Sequence, residues 1–223
     1  MRFLLAILLL SNIAHGGDRD ELYDSVIRVS QYNGKTHNIY TSFCYKIDKE
    51  SYYFLGPGHG AVKDIPLNII VYYDGYKKLL PNCGLIEKTI FLEQTHNDLC
   101  IIKIPRTKFK YKEPSRLKIK NSKENKQYVF RGQKVWTCGF PLGKWPTLYC
   151  GRLIDNSIGG DPLANEGFYM YPDANEGRSG SPICDEDGEV IGMIIGVVPD
   201  KFTVSLNFHR INKFISEYEK EKQ

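Results

Sequence analysis

The hexapeptide Gly177-Arg178-Ser179-Gly180-Ser181-Pro182 places one serine between glycines, directly before the apolar residues Ile183-Cys184 and Val190-Ile191-Gly192. A nucleophilic serine needs an Oγ atom that stands clear of the backbone and two main-chain N–H groups that point at one spot. Gly177 lacks a Cβ atom, so the chain there can adopt the dihedral angles that turn its N–H toward that spot. An ordinary glycine- and serine-rich hairpin turn has the same composition. The hexapeptide alone therefore leaves both interpretations open.

Two earlier segments supply the partners that such a serine needs. In Tyr53-Phe54-Leu55-Gly56-Pro57-Gly58-His59, an apolar strand enters a tight turn that ends on a histidine. In Asn97-Asp98-Leu99-Cys100-Ile101, an aspartate lies at the start of a strongly apolar strand, where its burial is costly unless a partner satisfies it. The Nδ1–H group of His59 would satisfy Asp98 and would be held in one tautomer. We therefore predict that His59 and Asp98 act with Ser179, in the chain order of chymotrypsin rather than that of subtilisin or the α/β-hydrolases.

On these motifs the chain resembles the trypsin-like serine proteases with the chymotrypsin fold, over nearly all residues after number 16. The segment Trp136 to Gly143 is similar to a Gly-Tyr-Pro-Leu-Gly segment of bacterial Deg-type proteases, and Asp187 to Gly192 is similar to the hairpin after their serine. Gly180-Ser181-Pro182 and Ser205 to Phe208 look more like the glutamyl-endopeptidase branch. The resemblance implies an all-β fold of two six-stranded antiparallel β-barrels with a C-terminal helix.

The resemblance also implies roles for individual residues. His59 would be the general base, Asp98 would orient it, and Ser179 would be the nucleophile, with the N–H groups of Gly177 and Ser179 forming the oxyanion hole. The implied activity is that of an endopeptidase, with a polypeptide substrate, no cofactor and no nucleic acid. The same chemistry permits hydrolysis of small esters. A catalytically inactive protease-like protein that binds peptides is the alternative.

Two positions depart from the family pattern. Gly56-Pro57-Gly58 stands where the family has a small hydroxyl residue and alanine or asparagine before the histidine. Arg178 stands where the family has aspartate or asparagine, and the aspartate of trypsin-type enzymes pairs with a newly cut N-terminus. Because an arginine cannot form that pair, we do not expect activation by cleavage of a zymogen. A module of the PDZ type, as in Deg proteins, is not expected after residue 223.

We predict five segments along the chain: a signal peptide (1–16), a first barrel with the histidine and the aspartate (17–106), a basic connection (107–126), a second barrel with the serine (127–207) and a helix (208–223). Many short β-type runs separated by turn residues indicate a sandwich or a barrel. The predicted strands of the first half cover 25–29, 39–45, 52–55, 68–73, 88–92 and 99–104. Those of the second half cover 128–130, 135–138, 148–154, 168–171, 181–184, 190–198 and 202–207. The site is therefore expected in the seam between the two halves.

The final segment changes its period. Its apolar residues recur at helical spacing and predict one buried face, which consists of Ile211, Phe214, Ile215 and Tyr218. Asn207 is the expected N-cap, and the charged tail is expected to fray. Over its 223 residues the chain has a formal net charge of only +4. We expect the basic connection to be a solvated crossover with one strand near 117–119; a patch for nucleic acid or another anionic surface is the alternative.

The N-terminus has the composition of a targeting segment. Arg2 precedes an apolar run from Phe3 to Leu10, and Ala14-His15-Gly16 supplies small residues for cleavage after Gly16. The apolar run is shorter than the ~20 residues that cross a bilayer. We therefore expect a secreted or periplasmic monomer with no membrane association after cleavage. An uncleaved interfacial anchor is the alternative.

The chain has six cysteines, which allow 15 disulfide pairings: Cys44, Cys83, Cys100, Cys138, Cys150 and Cys184. Four of them lie in apolar strand positions, where a thiol behaves as a small hydrophobic group. The family resemblance places the strands of Cys138 and Cys184 near each other, so this pair is the expected disulfide. Their spacing is not that of a zinc site, and we expect no metal.

Substrate preference depends on the residues before Ser179 and on the strand Ile194 to Val198. At the base of the pocket for the residue before the scissile bond (P1), Asp173 would favour arginine or lysine. The interpretation of Asp173 that we favour is a turn residue after Pro172. Ile195 and Gly196 are expected in the pocket wall, and the apolar strand around them indicates an apolar or small P1 residue.

Overall fold

The computed structural model describes residues 17–32, 34–73, 76–92, 97–110, 112–121, 130–155, 167–171, 175–198 and 202–223. The predicted signal peptide and Asp173 lie outside the described residues. The first half of the chain begins with helix α1 (Gly17–Ser25) and continues with seven strands: β1 (Val26–Tyr32), β2 (His37–Ile47), β3 (Ser51–Gly56), β4 (Asn68–Tyr73), β5 (Tyr76–Leu80), β6 (Leu85–Leu92) and β7 (Asn97–Pro105). The second half contains β8 (Lys134–Gly139), β9 (Thr147–Asp155), β10 (Gly167–Tyr171), β11 (Pro182–Cys184), β12 (Val190–Val198), β13 (Phe202–Asn207) and helix α2 (Phe208–Glu221). Short 3₁₀ turns cover Arg106–Lys108 and Pro141–Gly143.

The strands of the first half form one antiparallel sheet in the order β5-β4-β1-β2-β3-β7-β6. Its inner face buries a cluster of aliphatic and aromatic side chains that includes Ile27, Val29, Phe54, Ile69 and Ile102. All six predicted strands are present. The seventh, β5, pairs with β4 and has mostly exposed residues. An edge strand with little buried surface lacks the alternating pattern on which the prediction depends.

The strands of the second half form a closed barrel in the order β10-β13-β12-β11-β8-β9. Its interior is filled by a second apolar cluster that includes Val135, Leu153, Ile183, Ile191 and Ile194. The predicted strand at 128–130 lies mostly outside the described residues. With one closed barrel, a second antiparallel sheet and a C-terminal helix, the predicted fold class is confirmed. The first half forms a seven-stranded sheet and not the expected six-stranded barrel, because β5 adds to the edge of β4.

A third apolar cluster joins the two halves and helix α2. It combines Phe43, Leu55 and Ile101 from the first half with Phe140 and Leu206 from the second. The predicted face of α2 enters the same cluster through Ile211, Phe214 and Tyr218, all of which are buried. Because this cluster is shared, the two halves pack together directly, and residues at their seam have defined positions relative to one another.

The two ends of α2 are held by polar contacts. Asn207 caps the helix as predicted, since its side-chain oxygen accepts from the N–H of Arg210 at 3.1 Å. The tail remains helical to Glu221 instead of fraying. Ion pairs join it to β6: Lys88 Nζ lies 2.7 Å from Glu221 Oε1, and Lys222 Nζ lies 2.6 Å from Glu87 Oε2.

The basic connection is only partly a solvated loop. Lys120 is buried, and its Nζ lies 2.7 Å from Asp185 Oδ2 in the hairpin after β11. Two other lysines also pair with carboxylates: Lys112 with Asp24 at 2.6 Å and Lys118 with Glu189 at 2.5 Å. The predicted strand near 117–119 is limited to one bridge, between Ile119 and Val190. The connection is less solvated than predicted because its lysines form long-range ion pairs, which no local sequence pattern indicates.

All six cysteines are described, and all are free thiols. The disulfide expected between Cys138 and Cys184 is therefore absent. The pairing of β8 with β11 explains why, because Cys184 lies opposite Trp136 and Cys138 is displaced along the strand. Both thiols instead pack in the apolar cluster between the halves. None of the helices in the described part of the chain combines the length and apolar character needed to cross a bilayer.

Candidate active site

His59 and Asp98 lie in direct contact. The Nδ1 atom of His59 lies 2.6 Å from Asp98 Oδ2, and the main-chain N–H of His59 donates to Asp98 Oδ1 at 2.7 Å. Asp98 is buried on β7, whereas the imidazole is partly exposed. A carboxylate at Nδ1 selects the tautomer with a proton on that nitrogen. The Nε2 atom is consequently left with a lone pair, as a general base requires.

The turn that carries His59 is held tightly against β6 and β7. A Cβ atom on Gly58 would overlap the carbonyl oxygen of Ile90 and would lie 3.0 Å from the main-chain nitrogen of Leu99. Only glycine lets the turn approach the strands so closely. The unusual segment before His59 therefore does not displace the histidine from Asp98. It places the main chain of His59 where its N–H reaches the carboxylate.

The loop that carries Ser179 is tied to β2 of the first half through Thr41. The N–H of Thr41 donates to the carbonyl oxygen of Ser179 at 2.9 Å, and its Oγ1 donates to the carbonyl oxygen of Gly177 at 2.9 Å. The same Oγ1 accepts from the N–H of Phe140 at 3.1 Å. Thr41 is fully buried. One threonine thus joins the serine loop, β2 and the segment after β8.

The residue after Ser179 lies against the histidine turn. A Cβ atom on Gly180 would lie 2.6 Å from Cδ of Pro57 and would overlap the carbonyl oxygen of Thr41. Pro57 precedes His59 by two residues, and Gly180 follows Ser179 directly. The loop that carries Ser179 and the turn that carries His59 therefore meet at Gly180 and Pro57.

The peptide between Glu176 and Gly177 has a defined orientation. The carbonyl oxygen of Glu176 accepts from the N–H of Leu142 at 2.6 Å. In a trans peptide the C=O and the following N–H point in opposite directions, so the N–H of Gly177 points away from Leu142. Gly177 has a φ of +85°, a conformation that favours glycine. The orientation of this peptide is thus fixed by a hydrogen bond to the segment between β8 and β9.

Arg178 lies next to Ser179 but points into the protein. Its side chain is 1% exposed, and Cζ lies 3.8 Å from the centroid of the Tyr149 ring. Burial lowers the pKa of its guanidinium to about 10, although Tyr149 and Cys138 act in the opposite direction. Nε and Nη2 find no hydrogen-bond partner among the residues that the structure describes. A cation stacked on an aromatic ring thus occupies the position of the family's aspartate.

The predicted wall of the substrate pocket lies on β12, beside the serine loop. The N–H of Gly180 donates to the carbonyl oxygen of Ile194 at 2.6 Å, which brings this strand to the loop. A β-bulge interrupts the pairing of β12 with β13 at Ile195. The Ile195 side chain packs against the cluster between the halves, and the space beside Gly196 is open for at least 4 Å. Asp173 belongs to the part of the chain outside the described residues.

Sequence reasoning missed Thr41 as the residue that ties the site together. The signal for it is the pair Thr41-Ser42 inside an otherwise apolar and aromatic strand. A buried hydroxyl in such a strand needs a partner, but the identity of that partner depends on contacts 136 residues away. The stack of Arg178 on Tyr149 is another long-range contact that no local motif indicates.

The protein is similar to known proteins in its three-dimensional structure. The sequence matches no protein-family model, and no curated protein matches it. The HtrA-type protease AlgW, solved with a tripeptide, has a TM-score of 0.69 and 13% sequence identity, over 94% of this chain and 64% of that chain. The serine endoprotease from Yersinia pestis has a TM-score of 0.68 and 16% identity, over 92% and 68%. The Rv3671c protease from Mycobacterium tuberculosis, in an inactive mutant form, has a TM-score of 0.67 and 16% identity, over 92% of both chains.

These neighbours define the class of fold. The chain has the chymotrypsin-type fold of trypsin-like and HtrA-type serine proteases. It spans less than two thirds of the length of AlgW. At identities of 13–16%, the likeness establishes the arrangement of strands and not the activity.

Proposed function

We propose that the chain is a serine endopeptidase that uses Ser179, His59 and Asp98. One observation carries the proposal: the buried carboxylate of Asp98 holds His59 Nδ1 at 2.6 Å, directly across the seam from the loop of Ser179. The similarity to several serine proteases supports the same reading of the fold.

In the proposed first step, Ser179 Oγ attacks the carbonyl carbon of the scissile peptide bond, and its proton moves to His59 Nε2. Asp98 stabilises the imidazolium that forms. The N–H groups of Gly177 and Ser179 donate to the oxyanion of the tetrahedral intermediate. The C–N bond then breaks, and His59 gives the proton to the leaving amine.

In the second step, water replaces the amine. His59 Nε2 takes one proton from the water as its oxygen attacks the acyl-enzyme carbonyl. A second tetrahedral intermediate collapses, the ester bond to Ser179 Oγ breaks, and the serine recovers its proton from His59. No group outside the chain and the water is required.

The substrate residues before the scissile bond have an available strand to pair with. In the described structure, β11 pairs with β12 only as far as Met193, so that residues 195–198 pair on one side with β13. An extended peptide can add to such an edge through main-chain hydrogen bonds. AlgW was solved with a tripeptide, and a polypeptide is the substrate that we propose here.

Two alternatives share this geometry. An inactive relative would keep the fold and bind peptides without cleaving them, and the buried Arg178 beside Ser179 is the feature that favours it. An esterase would cleave small esters but leave peptides intact. Export through residues 1–16 belongs to the main proposal, and mature protein from the periplasm or medium should begin at Gly17.

The test is digestion of a mixture of peptides derived from a denatured proteome, analysed by mass spectrometry. Wild type should produce new termini, and Ser179→Ala should reduce their rate by several orders of magnitude. Asp98→Asn should reduce it by a comparable factor of about 10⁴. Equal digestion by wild type and Ser179→Ala would contradict the assignment. Intact peptides with hydrolysed p-nitrophenyl acetate would favour the esterase, and binding without hydrolysis would favour the inactive relative.

A further inference from the structure

Two large apolar side chains stand exposed beside the oxyanion loop. Leu142 is 59% exposed and Trp145 is 56% exposed, and both belong to the short segment between β8 and β9. Single exposed apolar residues are common on protein surfaces. Two of them in one short segment, beside a site that is proposed to bind extended peptides, indicate a binding surface.

The tryptophan lies on a supporting layer of aromatic rings. Tyr72 stacks on the buried Phe140 ring with centroids 5.3 Å apart, and Trp145 meets Tyr72 edge-on at 4.9 Å. The Tyr72 hydroxyl donates to the carbonyl oxygen of Lys144 at 3.0 Å, which ties the segment to β4. Trp145 is thus held on a defined base while much of its surface stays exposed.

The leucine is held in an unfavourable backbone conformation. Leu142 has φ +53° and ψ +25°, the left-handed region that residues other than glycine and asparagine seldom adopt. Its N–H bond to Glu176 connects it to the oxyanion loop. The segment then turns against β2, where a Cβ atom on Gly143 would lie 3.2 Å from Cγ2 of Ile39. Such strain is typical of functional segments that the surrounding structure holds in place.

The patch lies on the side of the loop that the substrate reaches after the scissile bond. At one end of the loop, Gly180 contacts β12 through Ile194. At the other end, Gly177 faces the segment that carries Leu142, because a Cβ atom on Gly177 would lie 3.3 Å from the nitrogen of Leu142. A substrate that pairs antiparallel with β12 has its last residues before the bond near Ile195. Its following residues then leave the loop on the opposite side, toward Trp145.

We propose that Ile39, Leu142 and Trp145 form a subsite for a large apolar side chain among the three substrate residues that follow the scissile bond. The inference rests on the proposed endopeptidase function and adds a sequence preference to it. The occupant is apolar because the three side chains offer only carbon surface, apart from one indole N–H. Arg28 stands at the rim, with Cζ 3.5 Å from a Cβ atom on Gly143, and its charge disfavours a basic residue there.

The subsite is tested with internally quenched peptides that contain one cleavable bond and differ only in the three residues after it. For wild type, kcat/KM should be roughly tenfold or more higher with leucine or tryptophan than with glycine or aspartate at the best of these positions. Trp145→Ala should abolish most of this preference. A p-nitroanilide substrate has no amino acid after the scissile bond, so kcat/KM for its hydrolysis by Trp145→Ala should stay within about twofold of wild type.

Two further variants separate the subsite from a general defect. Leu142→Gly keeps a residue that accepts the left-handed backbone, and it should weaken the preference in the same direction as Trp145→Ala. Phe130→Ala removes a side chain with the same exposure as Leu142, beside Lys120 and Asp185, and should change nothing.

The possible failures are distinguishable. Peptides cleaved equally well whatever follows the bond would overturn the subsite and leave the endopeptidase standing. A preference that Trp145→Ala preserves would also overturn it. If Trp145→Ala instead changed only the sedimentation coefficient, the patch would be a contact between copies of the chain. Absence of cleavage in every peptide would overturn both proposals together.

Discussion

Replacement of Thr41 by valine tests how the serine loop is held in the seam. The substitution preserves the shape of the side chain and removes its hydroxyl. In the structure that hydroxyl donates to Gly177 and accepts from the N–H of Phe140, at 2.9 and 3.1 Å. Thr41 is fully buried, so water does not replace either contact without a rearrangement.

The expected loss of stability follows from these two contacts. A buried polar group without a partner costs about 1–3 kcal/mol, and valine leaves both the Gly177 carbonyl and the Phe140 N–H unpartnered. Part of this cost is offset by the added methyl group. We therefore expect the free energy of unfolding to fall by about 2–4 kcal/mol. Thr41→Ser is the matched control, because it keeps the hydroxyl and loses one methyl group, at about 0.5–1.5 kcal/mol.

The assay is urea unfolding followed by tryptophan fluorescence. At an m-value of about 2 kcal/mol/M, the valine variant should unfold at a midpoint about 1–2 M lower than wild type. Its peptide hydrolysis per folded molecule should also fall, because Gly177 loses its anchor, whereas the serine variant should keep its activity. Valine and serine variants that differ by less than about 0.5 kcal/mol would refute the role assigned to this hydroxyl.

Three other predictions follow from the packing. Gly58→Ala should displace the His59 turn, because a Cβ atom there overlaps Ile90, and the activity at a given amount of folded protein should fall strongly. Gly196→Ala is the control, because the space around Gly196 is open. Its melting temperature should stay within a few degrees of wild type. Lys120→Met should lower the free energy of unfolding by about 3–5 kcal/mol in denaturant titrations, since it leaves Asp185 buried without its 2.7 Å partner; an unchanged midpoint would contradict this. Burial raises the pKa of the Cys83 thiol from 9.0 to about 11. As pH rises, this thiol therefore loses its proton in the unfolded chain before it does so in the folded chain. The free energy of unfolding should fall between pH 9 and 11, by up to about 1.4 kcal/mol per pH unit for this thiol. The slope of stability against pH should be shallower by that amount in Cys83→Ala, and equal slopes would argue against a neutral buried thiol.

Much of the fold was predictable because most strands bury one face or both. The runs around Phe54, Ile101 and Ile191 are strongly apolar, and turn residues separate them. The helical spacing of Ile211, Phe214 and Tyr218 was sufficient to predict a buried face. By contrast, β5 was not predictable, because a mostly exposed edge strand carries no such pattern.

The site was predictable only in part. The motifs around His59, Asp98 and Ser179 indicate chemistry because each places a polar group beside an apolar strand. The contacts that organise these residues are long-range, as in the bonds from Thr41 to the serine loop. The stack of Arg178 on Tyr149 likewise depends on the closed barrel and not on the hexapeptide. Helix α1, which the sequence did not indicate, also depends on long-range contacts, because its buried Leu22 packs in the cluster shared by the two halves.

The central claim is tested most directly by titration with a peptidyl phosphonate that reacts with activated serines. Wild type should gain one phosphonyl group per chain, and peptide mapping should place it on Ser179. Labelling should vanish in Ser179→Ala and slow by orders of magnitude in His59→Ala, with circular dichroism unchanged in both. A folded wild type that stays unlabelled, or that carries the group on another residue, would contradict the account.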